Sequence, residues 1–165
     1  MIEAIKNRRS IRRFKKSPVS DEAINHVLEA GIWAPSGMNN QPWRFAVIRD
    51  AETKAWLADF TQYGTVLKSA GALIAVFMDS SACYDRTKDV QAMGACIQNM
   101  LLAIHSINLG GLWVGEILKN RKKVEALLGA PKDYELMAVI AMGEPCLCPK
   151  PPKRKQLCDI VFLNK

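Results

Sequence analysis

The chain of 165 residues predicts an α/β or α+β fold in one domain covering residues 1–165. Three observations carry this expectation. Two unbroken apolar stretches, GALIAVFM (71–78) and LMAVIAMG (136–143), have the length and branching of strands buried on both faces. Around them lie segments whose apolar residues recur at helical spacing. Surface scaling from 18.4 kDa gives roughly 8,000 Å² folded against about 27,000 Å² unfolded, so about 70% of the surface can be buried.

In chain order, residues 2–7 form a short first helix running into a basic segment. Pro18 starts a turn, and Ser20 followed by Asp21 and Glu22 reads as an N-cap with acid in the first turn. Ile24, Val27, Leu28 and Ile32 then keep helical spacing to about residue 33. APSGMNNQP (34–42) is a loop, and Trp43 to Arg49 a strand. Helices are expected over 52–60 and 62–69, then the buried strand 71–78, then a long helix over 87–108. GLWVG (111–115) is a short strand or turn, and a helix over 120–128 ends at Gly129 and Pro131. After the strand 136–143 the Pro-rich stretch 145–152 is extended, and LCDIVF (157–162) is an apolar segment that needs a surface to pack on.

Composition narrows the class. Hydrophobic content of 49% with 24% charged residues excludes wholesale disorder. No apolar run reaches the roughly 18 residues of a membrane span, and the N-terminus lacks the apolar core of a signal peptide. Five Cys, an odd number without C-x-x-C, read as reduced thiols in a cytoplasmic protein.

The long helix carries a quaternary expectation. Between Asp89 and Glu116 stand 26 residues without Asp, Glu, Lys or Arg. Met93, Cys96, Ile97, Met100, Leu101, Leu102, Ile104 and Ile107 cover nearly every face, so the helix needs cover nearly all round. One face is met by the chain's own sheet; the other suggests a second subunit, hence a homodimer.

Charge is concentrated near the ends. Residues 1–16 net +6 and residues 149–155 net +4, whereas the whole chain nets +7. If the two blocks meet, they form an anion site for a phosphorylated cofactor, a nucleic acid or an acidic membrane. Other chemistry is sparse. His26 and His105 sit on separate helices, and no zinc spacing, P-loop, nucleophile elbow or G-x-G-x-x-G is present. Cys146 and Cys148 form a lone C-x-C. An enzyme so equipped draws its reactivity from a cofactor.

Three segments point further: NRRSIRRF (7–14), APSGMNNQPWRF (34–45), and NMLLAIHSINLGGLWVGE (99–116) followed by the basic PKRKQL (152–157). In this order and spacing they resemble the FMN-dependent nitroreductase family, over about residues 2–162. The resemblance implies an α+β three-layer sandwich, a mixed, mostly antiparallel sheet flanked by helices, in an intertwined homodimer with FMN at the subunit interface. It implies that Arg8 and Arg154, with Lys155 beside it, hold the FMN phosphate, that Ser10 bonds the phosphate or ribityl chain, and that Arg12 lies near flavin N1 and O2; Arg9 occupies the motif's middle place. It implies that Pro35, Ser36, Gly37, Met38, Asn39 and Gln41 are lent to the flavin by the second subunit. Trp113, Val114 and Gly115 match the turn that approaches flavin N5, with Glu116 next to it. Where larger members carry a helical excursion after the strand 71–78, this chain has only a short link.

The implied activity is ping-pong hydride transfer from NADH or NADPH through flavin N5 to a small acceptor, a nitroaromatic or quinone. Reductive dehalogenation or flavin fragmentation on the same scaffold is the alternative. A nucleic-acid-binding module is the non-enzyme rival; its basic blocks lack the interleaved aromatics of single-strand binders.

Overall fold

The computed structural model describes residues 2–164. Its centre is a four-stranded sheet in the order β1-β2-β4-β3, with β1 Trp43–Ile48, β2 Ala72–Asp79, β3 Gly110–Val114 and β4 Tyr134–Gly143. All three strand pairings are antiparallel. Parallel pairing among the described residues is confined to an isolated bridge between Ser10 and Gly111. The helices are α1 Ile2–Asn7, α2 Asp21–Ile32, α3 Ala51–Ala58, α4 Gly64–Ser69, α5 Arg86–Ser106 and α6 Arg121–Leu127.

The two apolar runs are explained by cover on both sides. Along β2, Ala72, Ile74, Val76 and Met78 point into a core built with α2 and α5. Leu73, Ala75 and Phe77 point into a second core with α3, α4 and α6. Neither face meets water, so the period-2 alternation of a half-exposed strand is absent. One irregularity sits between Val76 and Phe77, which pair with Ala138 and Leu136 and leave Met137 as the extra residue of β4.

Local signals place the helix ends. Ser20 Oγ accepts from the Ala23 N–H at 3.2 Å, and Asp50 Oδ1 from the Thr53 N–H at 2.7 Å. Gly129 takes φ 61° just past α6, a conformation that glycine adopts without strain. α5 starts at Arg86, one residue before the expected position, and stops at Ser106, two residues short of the expected end. It is buried through Ala92, Met93, Cys96, Ile97, Met100 and Ile104, while Gly94, Ala95, Gln98, Asn99 and Leu102 form a half-open uncharged stripe.

From Cys146 to Asn164 every residue is exposed. The apolar end of this tail has no cover within the chain: Leu157 is 78% exposed and Phe162 98%. The surface of 10008 Å² exceeds the roughly 8,000 Å² of a compact chain this size, and the tail, exposed throughout, adds to it. No helix among the described residues is long and apolar enough to cross a membrane.

Candidate functional site

The two basic blocks do meet. A bridge between Phe14 and Pro145, and the Cys146 N–H donating to the Arg13 carbonyl at 3.0 Å, lay the tail beside the N-terminal segment. Arg8, Ser10, Arg12, Lys150 and Arg154 then surround one hollow of about 260 Å³. Within it Arg8 Nε is buried with no hydrogen-bond partner. The Arg8 guanidinium is held below its ordinary pKa, first by burial, then by the charges of Arg154 and Arg9. A partly buried cation crowded by cations, with a free donor, is suited to an anion, and a guanidinium fork suits a phosphate.

Not every basic residue of the motif points there. Arg9 touches the hollow, yet its Nη1 donates to the carbonyls of Lys6 at 2.6 Å and Arg8 at 2.9 Å, closing the end of α1. Lys155 is exposed and does not line the hollow, whereas Lys150 does. An adjoining cavity of about 180 Å³ is lined by Arg8, His105, Gly110 and Cys148.

The turn after β3 lies farther along that edge strand. Val114 is buried, whereas Trp113 is 41% exposed and its indole lies over Gly115. Glu116 is already engaged. Thr61 Oγ1 and the Gln62 N–H donate to its carboxylate at 2.6 and 3.1 Å, and Lys119 pairs with it. The Lys119 ammonium and the Thr61 hydroxyl hold its carboxyl below the usual range. It anchors the turn to the α3–α4 connection.

The loop between α2 and β1 is strained. Met38, Asn39 and Gln41 have φ of 54°, 54° and 48°, three left-handed residues within four positions and none of them glycine. Local bonds hold the shape: the Gln41 N–H donates to Ser36 Oγ at 3.1 Å, and the Asn39 N–H to the Ser36 carbonyl at 3.1 Å. The loop's anchor is Asn40, a residue not among those the motif singled out. Its Nδ2 donates to Asp89 Oδ1 at 2.7 Å and to the Ala82 carbonyl at 3.0 Å. Asp89 is fully buried and also accepts the N–H groups of Tyr84 and Asp85, both at 3.0 Å. Burial alone would raise its pKa, but the Asn40 amide and the backbone donors outweigh that and hold it below the usual range. The signal available in sequence was the acid itself, standing just before the long uncharged run of α5. With Met38 85% exposed and Pro35 and Asn39 also at the surface, the loop's outer edge is free for a ligand.

Within one chain this loop and the β3 turn do not share a site. They belong to β1 and β3, the opposite edges of the sheet, three strand spacings or about 14 Å apart.

The chain matches the Nitroreductase family model over residues 5–65 and 61–144, and it belongs to that family. A nitroreductase-assigned chain from Desulfovibrio desulfuricans, solved in complex with FMN, superposes with a TM-score of 0.95 at 44% identity, over 99% of this chain and 96% of that one. A protein of Archaeoglobus fulgidus assigned as NADH dehydrogenase/NAD(P)H nitroreductase is 34% identical over 87% of this chain and 84% of its own length. The iodotyrosine deiodinase of Thermotoga neapolitana is 31% identical, covering 88% of each.

Proposed function

We propose that this chain is an FMN-dependent NAD(P)H oxidoreductase of a small nitroaromatic or quinone acceptor, working as a homodimer with FMN at the subunit interface. The observation that carries the reading is the buried, unpartnered Arg8 Nε beside a cationic hollow that Arg8 and Arg154 both line. Arg8, Arg154 and Lys150 hold the phosphate, with the Ser10 hydroxyl in reach of the same hollow. Arg12, exposed beside them, supplies positive charge toward the flavin's pyrimidine side. Trp113, Val114 and Gly115 form the wall along the ring, and Pro35 to Gln41 come from the second subunit. Bound FMN supplies two-electron transfer between a reduced nicotinamide and an acceptor that replaces it. The A. fulgidus relative's name supports the nicotinamide, and the D. desulfuricans complex supports FMN.

Two results test this. Anaerobic NADH or NADPH bleaches the absorption of the flavin-loaded protein, 4-nitrobenzoate or a quinone restores it, and steady-state plots are parallel. Bound flavin that neither nicotinamide reduces overturns the reading in favour of a second one, reductive dehalogenation, which the T. neapolitana deiodinase supports. That reading predicts halide release from a halogenated phenol by the dithionite-reduced protein.

Assembly is the other result. The uncharged stripe of α5 and the apolar tail together need a partner, and obligate interfaces of this kind bury about 2,000 Å² or more. Sedimentation at low micromolar concentration gives a particle of about twice 18.4 kDa. A flavin-loaded monomer would disprove the shared site.

A further inference from the structure

Tyr84 lies in the link between β2 and α5, and its hydroxyl packs on Gly37 so closely that any side chain at 37 would collide with it. Asp89 fastens the two segments together, taking Asn40 on one carboxylate oxygen and the Tyr84 and Asp85 N–H groups on the other. The Tyr84 ring is therefore fixed relative to the strained loop. It is nonetheless 44% exposed, and the Lys88 ammonium stands 5.1 Å from its centroid. Lys88 makes no ion pair among the described residues. With Pro35, Ser36 and Gln91, these two side chains bound an open concavity of about 290 Å³. An aromatic wall and an unpaired cation, rigidly attached to the loop proposed to border the flavin, are more than packing of the link requires.

We infer that Tyr84 and Lys88 form an acceptor subsite that selects planar aromatic acceptors bearing a carboxylate or sulfonate. The ring of Tyr84 lies against the acceptor's ring, and Lys88 pairs with its anionic substituent. This rests on the proposed function, since it places the loop at the flavin of the partner subunit.

The test compares nitrobenzene with 4-nitrobenzoate on the flavin-loaded dimer. Wild type shows the lower KM for 4-nitrobenzoate. Lys88→Ala raises that KM about threefold to fivefold and leaves nitrobenzene unchanged, as expected for one solvent-facing ion pair. Lys88→Glu reverses the preference between the two, which a purely structural role cannot do. Tyr84→Ala raises both KM values about threefold to tenfold, as loss of an aromatic contact predicts, and Tyr84→Phe restores them. Bound flavin per protomer distinguishes a failure to bind FMN from a failure of the subsite. A wild-type chain that binds no FMN overturns the parent reading and the subsite with it. Full FMN and normal bleaching, with the charge preference unmoved in both Lys88 variants, overturn the subsite alone.

Discussion

Replacing Arg8 by alanine weakens FMN binding by about tenfold to 150-fold, because a hydrogen-bonded contact to an ionised group is worth roughly 1.5–3 kcal/mol. The structure gives the reason for the upper part of that range. Arg8 Nε is buried and unpartnered, and Arg154 and Arg9 crowd its charge. A bound phosphate both satisfies the donor and relieves the repulsion. Arg154→Ala has the same sign and a smaller size, because Arg154 lies on an exposed tail. Arg8→Lys recovers part of the loss, keeping the charge without the fork. Riboflavin, lacking the phosphate, is the control: wild type and both alanine variants bind it with similar weak affinity in a titration of flavin fluorescence. If riboflavin binding falls as steeply as FMN binding, the phosphate assignment is wrong.

Removing the Asp89 carboxylate has the largest expected effect on stability. Asp89→Ala removes the buried acceptor of three hydrogen bonds, one from the Asn40 amide, which keeps its bond to the Ala82 carbonyl, and those from the N–H groups of Tyr84 and Asp85. Loss of such a network costs about 3 kcal/mol, or roughly 6–12 °C in Tm for a chain of this size. Asp89→Asn recovers part of the loss, since its amide oxygen still accepts one set of donors while its NH2 group faces the other. The pH dependence follows from the sign of the shift. The folded carboxyl is held below its ordinary value, so its contribution is fully present above the unfolded pKa near 4. It is lost as pH falls from there through the lower folded value. Thermal melts of wild type between pH 7 and pH 3 therefore drop in the acid range by more than those of Asp89→Asn. Parallel curves for the two proteins would show that Asp89 contributes no titrating stabilisation.

What was legible in the sequence had a local cause. Ser20, Asp50 and Gly129 act within a turn of their own position, and the two apolar runs register cover on both faces of a strand. The split of the basic charge between the chain's ends was also legible, because composition along a chain is one-dimensional information. Even the loop 34–42 was placed by its own Pro, Gly and Asn. Its strain was not. The left-handed residues Met38, Asn39 and Gln41 are held not by the local Ser36 bonds alone but also through Asn40, fastened to Asp89 49 positions away.

Tertiary structure alone decided which members of a motif face a common point. Arg8 turns into the hollow while Arg9, its neighbour, turns back to two carbonyls; a basic run in sequence carries no information on that choice. Lys150 rather than Lys155 reaches the hollow because the Phe14–Pro145 bridge sets where the tail crosses the N-terminal segment. Tyr84 meets Gly37 because the link after β2 folds over the loop before β1. The placing of Lys150 and of Tyr84 depends on contacts between residues far apart in the chain. Residue type and spacing specify local backbone preference and burial, but a side chain's partner is settled only when separate segments are brought together by the packed core.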